Sequence, residues 1–469
     1  MTTQGLSDRG APQHVFDIGI NERLTPSQFL LLGLQNVFGM TGMFVFPGFL
    51  GYQLKLPPEQ IAYLYGMTFI VCGIITILQS VFLLRLPIAQ GPYAGSFAAL
   101  LTVGHLDNGH GLGVAYGSFF VASLIWCVLS LPIRGRSVIS IFARFLRVPI
   151  ISGMMVMLIM IQIASVSLPN WIGMPTSPGF PTVNLLSGAV AVAAIVVAML
   201  WGGQRFRRIA ILIGLALGTL SYTFFNPISL APVISAPFVV TPKLFPFGYG
   251  VRVDLVIVFL LVLIPAGMGS MALYQTVADW GGEKLSPGRM SEGILGVGIG
   301  SVVAGLFGGF STIVYPDNIG MLRTTRVGSR YATLAAGLLL IIFGACVKFD
   351  MLLVVVPLPV ISGAATLLFG IVFMHGVHIL AQVEWDDRRL IAAGLAFLVG
   401  LGGLFLTPQT QEAMPLVLRM IFQQPVISGG LTLVVLHSLL CSTATKHDAS
   451  AMEGRPQPVE VVSGAPRVR

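Results

Sequence analysis

The sequence predicts an all-α polytopic membrane protein of fourteen transmembrane segments, with short extended strands in the third and tenth. Three observations carry this. The 469-residue chain is 55% hydrophobic and only 9% charged, with a mean hydropathy of +0.88, and so little charge does not cover a soluble surface. Its apolar runs, bounded by Gly, Pro or charge, divide into fourteen stretches. The basic residues alternate between the loops in the way such a count requires. The net charge of +8 is scattered over short loops and marks no nucleic-acid surface.

Taken in order, residues 1–27 are polar and lack the apolar centre of a cleavable signal peptide, so they read as a cytoplasmic tail. The spans follow at 28–50, 60–84, 92–104, 112–133, 146–168, 185–201 and 208–225. A connecting loop, 226–253, leads to spans at 254–275, 291–311, 312–325, 331–347, 351–375, 388–406 and 415–441. The stretch 443–469 is polar and proline-containing and reads as a disordered cytoplasmic tail. With the N-terminus inside, the inner loops hold Arg85, Arg134, Arg136, Arg144, Arg147, Arg205, Arg207, Arg208, Lys284, Arg289, Arg326, Arg330, Arg388 and Arg389. The outer loops hold only Lys55, Lys243, Arg252 and Lys348. This bias places a multi-pass protein in the cytoplasmic (inner) membrane with both termini cytoplasmic.

Two segments are too short to cross as helices: GPYAGSFAALLTV, 91–103, and YPDNIGMLRTTR, 315–326. They are third and tenth, hence in the same place within two halves of seven, 28–225 and 254–442. An odd number of spans per half inverts one half relative to the other. Interrupted segments at matching positions of inverted repeats point to a transporter's substrate site. Pro92 and Gly95 break the first segment, and Pro316 and Gly320 the second. Unpaired backbone groups are costly in hydrocarbon, so such breaks face protein or a watery cavity. Extended backbone leading into a half-helix aims amides and a positive dipole end at a ligand. The competing reading is an ordinary kink in each helix.

Asp317 is the strongest functional candidate, because an ionisable group inside a span is costly. The alternative is a structural pair with Arg323 or Arg326. Arg419 either snorkels or reaches a cavity, and His437 reads as a hydrogen-bonded helix residue. His375 and His378 stand near a helix end, where an interfacial role outweighs metal binding. The four cysteines lie in apolar stretches without metal-ligand spacing and read as packing residues. No phosphate-cradling G-x-x-x-x-G-K-[ST] occurs. The expectation is a carrier, not an enzyme, with no metal and no cofactor.

The stretch DNIGMLRTTR resembles the signature of the nucleobase–ascorbate transporter family, which includes uracil and xanthine permeases. Asn318, Gly320, Thr325 and Arg326 match it. GLQN at 33–36, GSF at 95–97 and QTVADW at 275–280 resemble the family's first-, third- and eighth-span motifs. The resemblance implies a core domain from spans 1–4 and 8–11 and a gate domain from spans 5–7 and 12–14. It also implies elevator-type movement of core against gate, a homodimer, and proton-coupled uptake of a nucleobase such as uracil or xanthine. Carried onto this sequence, the substrate-binding set is Gln275, Asp317, Asn318, Gly320, Ser96, Phe97, Asn36 and Tyr274. Asp317 is the proton-coupling candidate and Arg323 its charge partner, while Asp279, Thr325 and Arg326 are structural. This chain departs from the family pattern where it carries Gln275 for a glutamate, Asp317 for a glutamine or glutamate, and Asn36 for a histidine. An amide and a carboxylate suit a ring with adjacent N–H and C=O groups. The alternative is a sulfate-, bicarbonate- or chloride-type anion carrier or channel on the same fold, since fold alone does not settle function.

Overall fold

The computed structural model describes residues 15–105, 111–133, 137–139 and 149–440. Arg134, Arg136, Arg144 and Arg147 of the loop-charge argument lie outside these, as do residues 1–14 and the expected tail at 443–469. Helices dominate. Among the described residues eight are long and apolar enough to cross a membrane, and a pair of helices bent by 63° makes a ninth where the pair is counted as one span.

That bent pair opens the fold. Helix α1 (Pro26–Gly39) starts on a capping box in which Thr25 and Gln28 satisfy each other's backbone amides, with Pro26 where a missing N–H costs nothing. It leads through a 3₁₀ turn at Thr41–Phe44 into α2 (Phe46–Gln53). Helix α3 (Pro58–Ile77) continues into a π-helical turn at Leu78–Leu83. Strand β1 (Gln90–Pro92) then runs into α4 (Ala94–Gly104), followed by α5 (Gly111–Ser130), α6 (Pro149–Ile172), α7 (Thr182–Leu200) and α8 (Ala210–Thr223). After the connecting stretch come α9 (Val253–Trp280) and α10 (Pro287–Phe307), then β2 (Thr312–Val314) and α11 (Pro316–Thr325). Helices α12 (Arg330–Ala345), α13 (Val347–Val354), α14 (Leu358–Leu380), α15 (Asp387–Gly402), α16 (Leu416–Gln423) and α17 (Pro425–Leu440) complete it.

Three boundaries differ from the sequence reading, each for a local reason. The eighth segment runs five residues further than expected, to Trp280, because its amphipathic end continues the helix beyond the apolar run. The stretch expected at 351–375 is split: α13 stops at Val354, and α14 starts afresh behind Pro357 in extended conformation. The last stretch breaks at Gln424, also extended, because Pro425 has no N–H with which to continue α16.

The helices pack in two sets. In one, α1 lies on α12, α12 on α3, and α5 on α9 and α10. Small residues allow the closest approach: an added Cβ at Gly73 would stand 2.6 Å from the Gly337 carbonyl oxygen. In the other set α14 lies on α6 and α7, α8 on α7, and α15 on α17. The sets meet where α9 touches α6, α16 and α17, where α4 touches α6, and where α2 touches α14.

Strands β1 and β2 pair antiparallel at the centre of the first set, with Gln90 opposite Val314, Gly91 opposite Ile313 and Pro92 opposite Thr312. The ribbon is extended by Tyr93 N donating to the Ser311 carbonyl (2.7 Å) and Tyr315 N to that of Ala89 (3.1 Å). The Tyr315 ring is seated against Gly91 and Gly42, where an added Cβ would collide with it. Gly91→Ala is expected to abolish recovery of folded protein from the membrane, and Tyr315→Ala in the same chain to restore part of it. Monodispersity by size-exclusion chromatography reads both.

Candidate functional site

Each strand delivers the chain into a helix through an extended tyrosine, Tyr93 before α4 and Tyr315 before α11 (φ, ψ −85°, 120° and −85°, 117°). Neither tyrosine caps the helix with its side chain. Because the strands are antiparallel, the two helices leave the ribbon in opposite directions, α4 from its Pro92–Thr312 end and α11 from its Gln90–Val314 end. Among the described residues nothing accepts from the amides of Gly95 and Ser96 in the first turn of α4. Two positive helix ends thus start from the ribbon, one at each end of it, an arrangement suited to a polar or anionic solute.

Gln275 lies on the exposed side of α9, and its Nε2 donates to Asp279 Oδ1 at 2.8 Å, one turn on. On the same helix Gly269 is exposed, and Gly320 is exposed on α11; at neither would an added Cβ meet an atom within 4 Å. Open space thus flanks both helices. Asp317 occupies the first turn of α11, directly after Pro316.

Asn318 and Asn36 meet. Asn318 Nδ2 donates to Asn36 Oδ1 (2.6 Å), Asn318 Oδ1 accepts from Ala89 N just before β1 (3.1 Å), and Asn36 Nδ2 donates to the Leu32 carbonyl (2.7 Å). Both asparagines are buried. This chain of bonds ties α1, β1 and α11 together.

Ser96 and Phe97 sit at the start of α4 but turn inward. Ser96 Oγ donates to the Tyr93 carbonyl (2.7 Å), and the buried Phe97 ring packs among Phe46, Phe49 and Phe310. Tyr274 also turns inward. Adjacent helix residues point about 100° apart, so with Gln275 outward Tyr274 is buried, donating to the Gly293 carbonyl (3.0 Å) and accepting from Gln79 Nε2 (3.2 Å). These contacts set it behind the helix ends instead of between them.

Among the described side chains the basic residues meet the following partners. Arg323 is exposed, with its guanidinium 5.9 Å from the Trp280 ring centre. Arg326 ends α11 in the left-handed region (φ 54°), pairs with Asp17 at 3.8 Å, and gives its carbonyl to the amide of Asp17 (2.8 Å). Thr325 Oγ1 donates to the Met321 carbonyl (2.9 Å).

Sequence reading passed over four polar residues in or behind the ribbon, two of which bond to its strands. Thr76 Oγ1 accepts from Gln90 N (2.9 Å), and Ser270 Oγ accepts from Val314 N (3.5 Å). Gln79, in the π-helical turn, donates to Tyr274 and to the Gly293 carbonyl (2.9 Å). The Gln90 amide is buried beside them without a partner among the described residues. Polar side chains inside apolar spans were the available signal.

A multi-pass bundle whose interrupted segments cross at a central ribbon is a membrane carrier in class. Comparison with known proteins makes this specific: a xanthine–uracil permease model, described as "Permease family", matches residues 27–409. The chain belongs to the nucleobase–ascorbate transporter family. It is 27% identical to the uric acid permease PucK of Bacillus subtilis (strain 168), over 89% of this chain and 97% of that one. It is 26% identical to the xanthine permease of the same organism, over 87% and 92%. In fold it is similar to the transmembrane domain of a cyanobacterium bicarbonate transporter, BicA, with a TM-score of 0.54 at 16% identity, over 90% and 99% of the two chains.

Asn318→Ala strips a partner from two buried groups, Asn36 Oδ1 and Ala89 N. The expected cost is about 2–4 kcal/mol. A lowered unfolding midpoint of the purified protein in detergent measures it, and Asn36→Ala, which leaves the bond to Ala89 in place, is expected to cost less.

Proposed function

We propose that this protein imports a nucleobase, of the xanthine, urate or uracil type, across the cytoplasmic membrane by proton symport. The observation that carries the reading is the pair of uncapped helix ends at the β1–β2 ribbon, beside the Gln275 face of α9, in a chain of this family. The printed activities of the relatives, uric acid and xanthine permeases, support the substrate class. A bifunctional amide at Gln275, a carboxylate at Asp317 and the free amides of α4 suit the alternating N–H and C=O edge of such a ring.

The proposed architecture is fourteen spans in two inverted repeats, 28–225 and 254–442, with both termini cytoplasmic. The helix set built on α1, α3, α5, α9, α10 and α12 is the moving core, and the set built on α6, α7, α8, α14, α15 and α17 is the gate, as expected of a homodimeric elevator. Asp317 carries the coupling proton. Asp279 orients Gln275, and Asn36 and Asn318 hold the half-helices in register. An anion carrier has no comparable support: the likeness to a bicarbonate transporter is one of fold alone, and the Arg323 guanidinium lies over the Trp280 ring.

Uptake of labelled urate, xanthine and uracil into cells lacking their own permeases tests the reading. Accumulation of at least one is expected, and failure of all three to enter or compete ends it. Proton-coupled uptake rises as external pH falls. Asp317→Asn is expected to flatten that profile, and a profile matching that of the unaltered protein rules out proton carriage there. Gln275→Glu replaces a donor-and-acceptor amide by an acceptor next to Asp279, and is expected to change the KM for the transported base about ten-fold. An unchanged KM removes Gln275 from the site.

A further inference from the structure

A second polar chamber lies on the α4 side of the ribbon. It has a volume of about 400 Å³ and is bordered by Phe97, Thr102, His105, Gln162, Arg419 and Gln423. Phe97 and Ala98 in the first turns of α4 line it, and Gln275 does not. The residues come from both helix sets: Thr102 from α4, Gln162 from α6, and Arg419 and Gln423 from α16.

A clasp of amides closes this region. Gln162 Nε2 donates to Gln424 Oε1 (3.0 Å), and Gln424 Nε2 donates across the two sets to Thr102 Oγ1 (3.0 Å). Gln162 and Gln424 are both more than nine-tenths buried. With its Nε2 committed, Gln162 is left with a buried Oε1 that has no partner among the described residues. Gln423 is half-buried, and its Nε2 donates to Gln411 Oε1 (2.7 Å). No acidic residue lines the space, and among the described side chains no carboxylate pairs with Arg419.

The Arg419 guanidinium and one buried amide oxygen lacking a donor among the described residues, that of Gln162, define a ligand. An anion suits the guanidinium. N–H groups suit the amide oxygen. Chloride and sulfate carry none. A planar anion with ring N–H groups meets both demands, and the volume is of the size that takes one small heterocycle. We infer that this chamber is a recognition site for monoanionic oxopurines, with Arg419 reading the charge and Gln162 the ring N–H groups, before the clasp opens toward the ribbon. This rests on the permease reading above. On the orientation proposed there the chamber opens outward. Arg419 thereby sets selectivity for urate, a monoanion at neutral pH, over hypoxanthine, which is neutral.

The test is uptake of labelled urate and of labelled hypoxanthine at neutral pH by the full chain, unaltered and as Arg419→Gln. A charge-assisted bidentate contact predicts that the ratio of urate to hypoxanthine uptake efficiency falls about ten-fold, through the KM for urate. If Arg419→Gln does not reach the membrane folded, Arg419→Lys carries the test. It keeps the charge but loses the planar fork, and a smaller fall in the same ratio is expected. An unchanged ratio, an equal loss for both substrates, or chloride competing with urate at comparable concentration overturns the chamber while leaving the permease reading in place. Uptake of hypoxanthine without urate by the unaltered chain also overturns it. Uptake of no base at all overturns both.

Discussion

The rest of the structure depends on one constraint: in a hydrocarbon environment every backbone amide and carbonyl needs a partner. Two chain segments here stop being helical in the middle of the fold, and they satisfy each other. Three residue pairs of β1 and β2, with Tyr93 and Tyr315 just beyond them, bond in an antiparallel ribbon. Two isolated strands are marginal in water, and this ribbon also has two edges. Side chains close them: Thr76 and Ser270 accept from strand amides, and Asn318 accepts from Ala89. The polar residues scattered through the apolar spans are placed where the ribbon would otherwise leave groups unbonded.

The candidate site follows from that arrangement. Chain that enters a helix from a strand arrives at the N-terminus, where amides have no intrahelical acceptor. Two such entries, one from each end of the ribbon, supply polar groups inside an apolar bundle. The asparagine pair then fixes how the entries sit. Its three bonds join α1, the approach to β1, and α11, so a shift of one half-helix is felt by the other. Gln275 stands apart from this network. Among the described residues its side chain bonds to Asp279 on its own helix.

Much of this was legible in the residues. The two broken segments announced themselves because 91–103 and 315–326 are too short to cross and carry Pro and Gly at matching places. Asn36, Asn318 and Gln275 were legible through motif resemblance. Other features were not. Tyr274 sits beside Gln275 in sequence, and only the helical rotation reveals that one is buried while the other is exposed. Gln79 and Thr76 gave a faint signal as polar residues in apolar runs, but their partners at Tyr274, Gly293 and Gln90 are distant in sequence. The breaks at Pro357 and Gln424 were hidden by hydropathy, which averages over a single extended residue. Arg419 read as either a snorkelling or a cavity residue, and the distinction needed the chamber that it lines together with residues of α6 and α4.

A structure of the full chain determined by cryo-electron microscopy with urate bound tests the central claim most directly. The account predicts ligand density between the N-termini of α4 and α11, within hydrogen-bonding distance of the Gly95 and Ser96 amides and of the Gln275 side chain, with the β1–β2 ribbon intact. Density seated elsewhere in a protein that transports urate, or either half-helix fused into a continuous span, would contradict it.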